Sequence, residues 1–445
     1  DRELIELFLH NIAVAYQNVT LVQQLKSAAF ADPLTGLANR NEFIRQAEDC
    51  CAPDDEDKAI ALMDIRQFCE INDGLGQDVG DALLCAVANR LKERFADSAV
   101  IARVDADVFG LIADQTVLDP QAVLSVFDQP FICNDQLLRV SATLGTGLLK
   151  QMGRSGITRL KQAYIALNTA KRTVPGGYAW YVPELEAETG RRVIISRALH
   201  EALERQQLQV WYQPQFDLRS GEVTGVEALL RWPQTDGSFI SPAEFIPIAE
   251  SSGLIVEIGS VVIEQVCQDL AALAKEGFAD LRAAVNISMQ QFRSQNFISD
   301  MVNTISKAGI RAGQIELEIT ESILMYEPDV VITALLRLKE LGVTISIDDF
   351  GTGFSSLSYL RQLPLDRMKI DRSFVRDIEQ PGGHVILQSI LGLGQQLGLR
   401  TIAEGIETPE QEQLVKQLGC DEGQGFLYAQ AMSLAELRRF VSRRQ

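Results

Sequence analysis

Residues 343–350, VTISIDDF, have the pattern of a short buried β-strand that ends in two carboxylates. Branched apolar side chains alternate with small polar ones, and Asp348 and Asp349 come where the chain turns into GTG. Seven more short segments, mostly separated by helical stretches, fill residues 192–445: LQVWYQPQ, GVEALLRW, AAVNIS, IELEIT, RMKIDRS, RTIAEGI and GFLYA. Eight strands with intervening helices over about 250 residues predict a (β/α)8 barrel.

Polar side chains occur in or next to nearly every one of these predicted strands. In order they are Gln213, Glu227, Asn286, Glu318, Asp348, Asp349, Lys369, Glu404 and Gln424. The active site of such a barrel lies at the C-terminal ends of its strands, so we expect these side chains at one mouth. Any single acid among them is explained as an ordinary strand-end residue, but five acids at equivalent positions are not.

Five neighbouring carboxylates repel one another unless cations are present. Oxygen ligands without histidine or cysteine favour magnesium or manganese, with calcium as a further candidate. One of the adjacent aspartates, Asp348 or Asp349, could bridge two metals about 3.5–4 Å apart, which is the usual arrangement for phosphoester hydrolysis. The barrel is therefore predicted to carry an oxygen-liganded metal site.

The composition sets limits on the other functions. A length of 445 residues predicts two domains, and a net charge of −19 argues against binding long nucleic acid. The seven cysteines include no CxxC pair, which favours reduced thiols in the cytoplasm. No apolar run reaches 18 residues and no signal peptide is present. Because the chain begins inside an apparent helix, we expect a longer protein, in which a sensor domain or a membrane segment has room upstream.

The part before the barrel divides into three segments. Residues 1–28 carry a heptad-like apolar repeat, which fits either a helix that pairs with its own copy or an amphipathic helix on its own domain. Residues 29–184 alternate strands and helices and predict an α/β domain around a mixed sheet. Residues 185–191 are predicted to be a charged connector to the barrel.

The barrel segment GVEALLRW resembles the signature of the EAL phosphodiesterases. NIS, ELEITES, DDFGTGFSSLSYL, KIDRSF, AEGIE and GQGF are similar to further motifs of that family, and the resemblance covers the whole predicted barrel. It implies a homodimeric enzyme of bacterial second-messenger signalling that hydrolyses cyclic di-GMP to linear pGpG. It also implies two magnesium or manganese ions and inhibition by calcium.

The resemblance also implies a role for each residue. Glu227, Asn286, Glu318 and Asp348 would hold one metal, and Asp348 with Asp349 the second. The catalytic residues would be Lys369, Glu404 and Glu227. Lys369 would position the attacking water, and Glu404 would assist as a base or through a metal-bound water. Gln213, Arg231 and Gln424 would hold the dinucleotide, and Glu321 would brace the loop DDFGTGFSS.

The first domain is similar to the GGDEF diguanylate cyclases in DPLTGLANR, INDGLGQDVGD and AYIALNTAKR. Its signature differs, since residues 105–109 read DADVF. Side chains replace the glycine pair that lets the backbone approach a triphosphate, and Val108 replaces an acid that the family needs for catalysis. Arg66 and Cys69 replace a further acid and a lysine, and the family's inhibitory RxxD motif is missing at residues 96–99.

Four residues of a nucleotide site remain in this degenerate cyclase domain. Asp64 and Asp107 keep the metal-binding carboxylates, while Asn72 and Asp81 keep the guanine-reading positions. They imply either a domain that still binds GTP and regulates the barrel, or a scaffold that binds nothing. For the whole chain we expect a phosphodiesterase; the alternatives are an effector that binds cyclic di-GMP without cutting it, and a bifunctional enzyme.

Overall fold

A computed structural model of the chain describes residues 29–50, 57–321, 328–351 and 360–443. The predicted helix at residues 1–28 and most of the GTGFSS loop lie outside these ranges. The chain divides into two compact units, with the boundary in the sequence between Arg192 and Val193. The segment 185–191, predicted as a connector, is helical and belongs to the helix Pro183–Glu204.

The first unit is built on a five-stranded sheet and a separate two-stranded hairpin. The strands are β1 Lys58–Ile65, β2 Ala99–Arg103, β3 Val108–Asp114, β4 Phe131–Cys133, β5 Gln136–Leu138, β6 Ala142–Leu148 and β7 Tyr178–Trp180, and β4 with β5 forms the hairpin. The sheet has the order β2-β3-β1-β6-β7, and within it only the β6–β7 pair is parallel, so the predicted mixed sheet is confirmed. Its helices are Arg40–Asp49, Phe68–Leu75, Gln77–Phe95, Pro120–Leu124 and Gly156–Thr173.

Strand β1 is apolar from Ala59 to Met63 because both faces of the sheet are covered. Ala61 and Met63 join a core that includes Leu83 and Leu91 of one helix, whereas Leu62 faces a second core on the other side. The helix Gly156–Thr173 packs closely on β6. A Cβ at Gly145 would lie only 2.1 Å from the backbone nitrogen of Leu167, so this contact requires glycine.

The second unit is a closed barrel of eight strands, as predicted. Its strands are β8 Gln209–Asp217, β9 Val223–Pro233, β11 Arg282–Asn286, β12 Ile315–Thr320, β13 Thr344–Phe350, β14 Arg367–Ile370, β15 Arg400–Ala403 and β16 Glu422–Gly423, and the short β10 Phe239–Ile240 extends β9 at the side. The helices from here to the C-terminal end are Pro242–Ser252, Leu254–Lys275, Met289–Arg293, Phe297–Ala308, Pro328–Glu340, Arg372–Arg376, Gly383–Gln396, Pro409–Gln417 and Leu434–Ser442.

The barrel departs from a regular (β/α)8 arrangement at its first strand. Strand β8 is antiparallel to both of its neighbours, β9 and β16. Residues 218–222 join β8 to β9 as a hairpin, with no helix between them. Gln213 therefore reaches the active-site level from the middle of its strand, opposite Glu227, and not from a strand end.

The eighth strand also differs from the sequence-based prediction. Strand β16 is Glu422–Gly423, so GFLYA at residues 425–429 follows the strand, and Gln424 comes after it where we expected it before. The apolar character of GFLYA has another cause. Leu427 and Tyr428 pack beside Ile406 in an apolar cluster next to β15.

Candidate active site

The side chain of Lys369 lies at the centre of the acidic group predicted at the barrel mouth. Its ammonium nitrogen is 2.7 Å from Glu318 Oε1, 2.7 Å from Glu404 Oε1, 3.1 Å from Asp348 Oδ1 and 3.7 Å from Glu227 Oε1. The lysine is 1 % exposed. Strands β9, β12, β13 and β14, with the residue after β15, bring these five side chains together.

Asp348 and Asp349 reach the same end of the barrel because β13 is irregular there. The pairing of β13 with β14 shifts register between Ile347 and Phe350. Asp349 has a φ of +52°, a left-handed conformation that aspartate tolerates better than most residues. Carboxylate oxygens of Asp348, Asp349 and Glu404 all lie within 4.8 Å of one another. This spacing suits ligands of one cation, and it places Glu404 among the ligand candidates, beyond its predicted role as a base.

Burial and crowding shift the ionisation of this group. Burial raises the pKa of Glu404 to about 8 and that of Asp349 to about 6, and Asp348 adds to both increases. Burial likewise raises the pKa of Glu318 well above its usual value. Burial alone would lower the pKa of Lys369, but the surrounding carboxylates outweigh it and hold the ammonium charged. Five acids around one ammonium leave an excess of negative charge, which fits divalent cations.

Amide side chains fix the orientation of Glu227. Asn286 Nδ2 donates to Glu227 Oε1 at 3.1 Å and to Glu318 Oε2 at 3.0 Å. Gln424 Nε2 donates to Glu227 Oε2 at 2.6 Å and to Gln213 Oε1 at 3.1 Å. The structure thus joins the predicted substrate-binding glutamines directly to a predicted metal ligand.

Arg231 and Glu321 are the two predicted residues of this site that remain to be placed. Arg231 is half-buried, its Nη1 donates to the Leu230 carbonyl at 3.0 Å, and burial lowers its pKa. It lines a cavity of about 760 Å³ that also reaches Asn286 and Glu250. Glu321 is buried, and its Oε2 accepts a hydrogen bond from the Gly351 nitrogen at 3.3 Å. This contact holds the chain directly after Asp349.

A second polar layer beneath the acids was not found from the sequence. The buried Arg367 is 3.1 Å from Glu422 and 3.2 Å from Glu316, and Arg282 is 2.7 Å from Glu316. Gln215, also buried, pairs in register with Gly225, which in turn pairs with Arg282. The spacing of these residues in the sequence could have indicated the layer. Each of them is two positions, or a multiple of two, away from a predicted site residue, and side chains with that spacing face the same side of a strand.

The comparisons with known proteins agree with both units. The family model of the EAL domain matches residues 196–431, more than half of the chain. The chain belongs to the EAL domain family. A second model, described as diguanylate cyclase, GGDEF domain, matches residues 29–175, so the EAL domain follows a GGDEF domain.

Curated relatives share this tandem over most of the chain. The cyclic di-GMP phosphodiesterase NbdA of Pseudomonas aeruginosa is 36% identical over 426 residues, which is 94% of this chain and 54% of that protein. The bifunctional diguanylate cyclase/cyclic di-GMP phosphodiesterase MucR of the same organism is 35% identical over 94% of this chain and 63% of its own length. The chain therefore spans a little over half of the length of these relatives.

Two solved structures extend the comparison. The MucR phosphodiesterase in complex with c-di-GMP is 39% identical, and the match covers 55% of this chain and 99% of that one with a TM-score of 0.53. The S helix-GGDEF-EAL structure of Vibrio cholerae LapD covers 92% of this chain and 98% of its own with a TM-score of 0.58. At 22% identity, LapD supports the fold alone.

The predicted nucleotide residues of the GGDEF domain lie at two places, one around Asp64 and Asp107 and one around Asn72. Asp64 is the last residue but one of β1 and lies beside Asp107 of the β2–β3 hairpin, whose carbonyl accepts from the Ile65 nitrogen at 3.2 Å. Lys171 Nζ is 2.5 Å from Asp64 Oδ2. Burial raises the pKa of Asp64, and Lys171 opposes that increase.

Asn72 lies against Gly80, the residue before Asp81, where two helices approach each other. A Cβ at Gly80 would come 1.9 Å from Asn72 Oδ1, so the glycine before Asp81 makes room for this side chain. Asn72 Oδ1 is buried and accepts no hydrogen bond from the described residues. An unsatisfied acceptor of this kind fits a site that receives donors from a ligand.

Within the described residues, no single helix is long and apolar enough to span a membrane. One sharply bent pair, Pro242–Ser252 with Leu254–Lys275, meets the criteria of length and composition jointly, with an angle of 118° between its helices.

Proposed function

We propose that the EAL domain is a metal-dependent phosphodiesterase that opens cyclic di-GMP to linear pGpG. The observation that carries this proposal is the buried oxygen-rich group around Lys369, in which every expected metal ligand is present and lies at one end of the barrel. The names of NbdA and MucR support the substrate, as does the c-di-GMP complex of the MucR domain.

The donor set fits magnesium or manganese, because it consists of carboxylate and amide oxygens. Glu227, Asn286, Glu318 and Asp348 would hold one ion, and Asp348 with Asp349 the second. Such ions activate water at neutral pH and stabilise charge that develops on the phosphate.

The chain's own side chains would orient the reactants. Lys369, fixed by Glu318 and Glu404 at 2.7 Å each, presents a permanent positive charge to the attacking water and the phosphate. Glu404 lies within 4.8 Å of Asp348 and Asp349, and a cation bound there would lower its raised pKa, so that it could accept a proton from the attacking water. Gln213, Arg231 and Gln424 would bind the dinucleotide at the rim, and Glu321 would hold the loop after Asp349 through Gly351.

We also propose that the GGDEF domain does not synthesise cyclic di-GMP and binds GTP as a regulatory ligand. The loss of the acid at Val108 supports the first statement, and the buried acceptor of Asn72 supports the second. The chain would act in the cytoplasm as a homodimer, and light scattering would then give twice its 49.2 kDa; a monomer mass under assay conditions would contradict the dimer.

The deciding experiment is incubation of the purified chain with cyclic di-GMP and magnesium or manganese, followed by chromatography. We expect pGpG to accumulate, and none to form when the metal is chelated. Tight binding of cyclic di-GMP without product would contradict the proposal and favour the non-catalytic effector.

A further inference from the structure

A chain of buried amides leads from Glu227 into the barrel interior. Gln213 Nε2 donates to the Ala429 carbonyl at 3.1 Å, so Gln213 Oε1 faces Gln424. Gln424 Nε2 then donates to Gln213 Oε1 and to Glu227 Oε2. The last member is Gln215, whose Nε2 donates to Gln424 Oε1 at 3.1 Å.

The neighbours of these amides determine which way each one points. Carbonyl and carboxylate oxygens only accept hydrogen bonds, so Gln424 must turn its nitrogen toward Glu227 and Gln213. Its oxygen then points into the barrel, where water cannot replace a missing donor. Gln424 is 4 % exposed and Gln215 only 1 %. Gln215 supplies the donor that this orientation of Gln424 requires.

The surroundings of Gln215 leave it room for this role. A Cβ at the neighbouring Gly225 would come 3.1 Å from Gln215 Oε1 and 3.2 Å from Arg282 Nη2. Gln215 belongs to the layer of Arg282, Arg367 and Glu422, yet its hydrogen bond goes to the layer above. It links the charged layer to the predicted metal ligands.

We propose that Gln215 is a positioning residue for the metal site: by donating to Gln424 Oε1 it holds the Gln424 amide so that its nitrogen orients the Glu227 carboxylate. The inference rests on the proposed metal-dependent function. Without the donor, Gln424 keeps a buried unpaired oxygen or turns away from Glu227. In both cases Glu227 loses a fixed orientation, and partners of ligands in this position typically contribute about 10–100-fold in metal affinity.

The test is a calorimetric titration of the metal-free full chain with manganese, without substrate. All proteins carry Asp107→Asn, so that the GGDEF domain does not contribute its carboxylate pair. We expect Gln215→Leu to weaken manganese binding at the EAL site by about 10–100-fold. Because Gln215 acts through Gln424, the same substitution in a Gln424→Leu background should change the affinity less than twofold.

Gln314→Leu is the matched control. Gln314 is also buried, directly before β12, but its Nε2 donates to the Leu281 carbonyl at 3.2 Å, away from the acids, so the affinity should not change. If Gln215→Leu does not fold, Gln215→Met removes the donor with less change of shape and carries the same expectations. Parental affinity in the folded variant, or an equal loss in the Gln424→Leu background, would overturn the inference. A parent chain that binds no manganese would instead contradict the proposed function.

Discussion

At the scale of single residues, the barrel mouth combines a buried ammonium with carboxylates that cannot all ionise without cations. Glu227 has a particular place in this group, because it contacts Lys369, Asn286 and Gln424 at once. Its carboxylate is held on both oxygens, so no neighbour can move in to replace it as a ligand.

Glu227→Ala should therefore reduce cyclic di-GMP hydrolysis by about 100-fold or more, since a metal clamp contributes several kcal/mol to the transition state. The unfolding temperature should change little, because the remaining acids still surround Lys369. Glu222→Ala, which removes an exposed acid in the β8–β9 hairpin, is the control. Near-parental turnover of Glu227→Ala in magnesium would show the metal assignment to be wrong.

Calcium should inhibit the parent chain, since its larger and more flexible coordination suits the site poorly.

Glu250 gives a prediction about pH. Burial raises the pKa of Glu250 above the ordinary 4.5. Protonation of Glu250 therefore contributes to the stability of the folded state fully below pH 4.5, and this contribution is lost as the pH rises through the pKa of the folded state. Glu250→Gln cannot ionise. The variant should melt at a higher temperature than the parent at pH 8, and the difference should vanish as the pH approaches 4.5. An equal difference at both pH values, measured by thermal unfolding, would contradict this assignment.

At the scale of elements, the strands carry two polar layers, and the lower one tests how much the barrel depends on internal charge. Arg367 is 3 % exposed at its side chain and pairs with Glu316 and Glu422, which are almost fully buried. Removing Arg367 takes away the most deeply buried cation of this network and leaves two buried carboxylates that share Arg282 and the more exposed Arg400.

Arg367→Met should destabilise the barrel by about 3–5 kcal/mol, which lowers its melting temperature by roughly 6–20 °C in a calorimetric scan. Arg311→Met removes an exposed pair with Asp280 and should cost about 1 kcal/mol or less. Similar shifts for the two variants would mean that the buried layer contributes no more than a surface pair.

The elements also mark where the sequence was informative. The strands and helices of the GGDEF domain, the closed barrel and the acids at its mouth follow from hydrophobic patterning and from the positions of polar residues at strand ends. The direction of β8 could not be predicted, because the hydrophobic pattern of a strand is the same in a parallel and an antiparallel pair. The only difference in the sequence is that a short hairpin, and not a helix, joins β8 to β9. Strand β16 has two residues, too few to show a periodic hydrophobic pattern. The apolar GFLYA next to it was therefore wrongly predicted to be the eighth strand.

At the scale of the whole molecule, we expect the EAL domain to carry out catalysis and the GGDEF domain to regulate it. The GGDEF domain should form no cyclic di-GMP from GTP with either magnesium or manganese, because Val108, Arg66 and Cys69 replace residues that the family needs. The measurement uses the chain with Glu227→Ala, so that no product is lost to hydrolysis. Any cyclic di-GMP in that reaction would support the bifunctional alternative.

GTP should instead change the rate at which the EAL domain produces pGpG, most simply by raising it. A ligand shifts an equilibrium only through its different affinities for two states, and a typical coupling of about 1–3 kcal/mol corresponds to roughly 5- to 150-fold in affinity. The assay is a GTP titration of the parent and of Asn72→Ala at saturating magnesium. A flat response in the parent, or an equal response in the variant, would leave the GGDEF domain as a scaffold.

The antiparallel first strand has a consequence for how the barrel folds. The barrel closes where Asp217 pairs with Glu422 and Phe216 with Gly423. The first strand can therefore complete its pairing only after the last strand has been formed. Contacts between residues so far apart in the sequence make folding slow, because a long loop must close before they form. A nascent chain that has not yet reached residue 422 exposes the unpaired edges of β8 and β15, which can pair with another chain. Slow synthesis or truncation before this point should therefore produce aggregation rather than a smaller stable barrel.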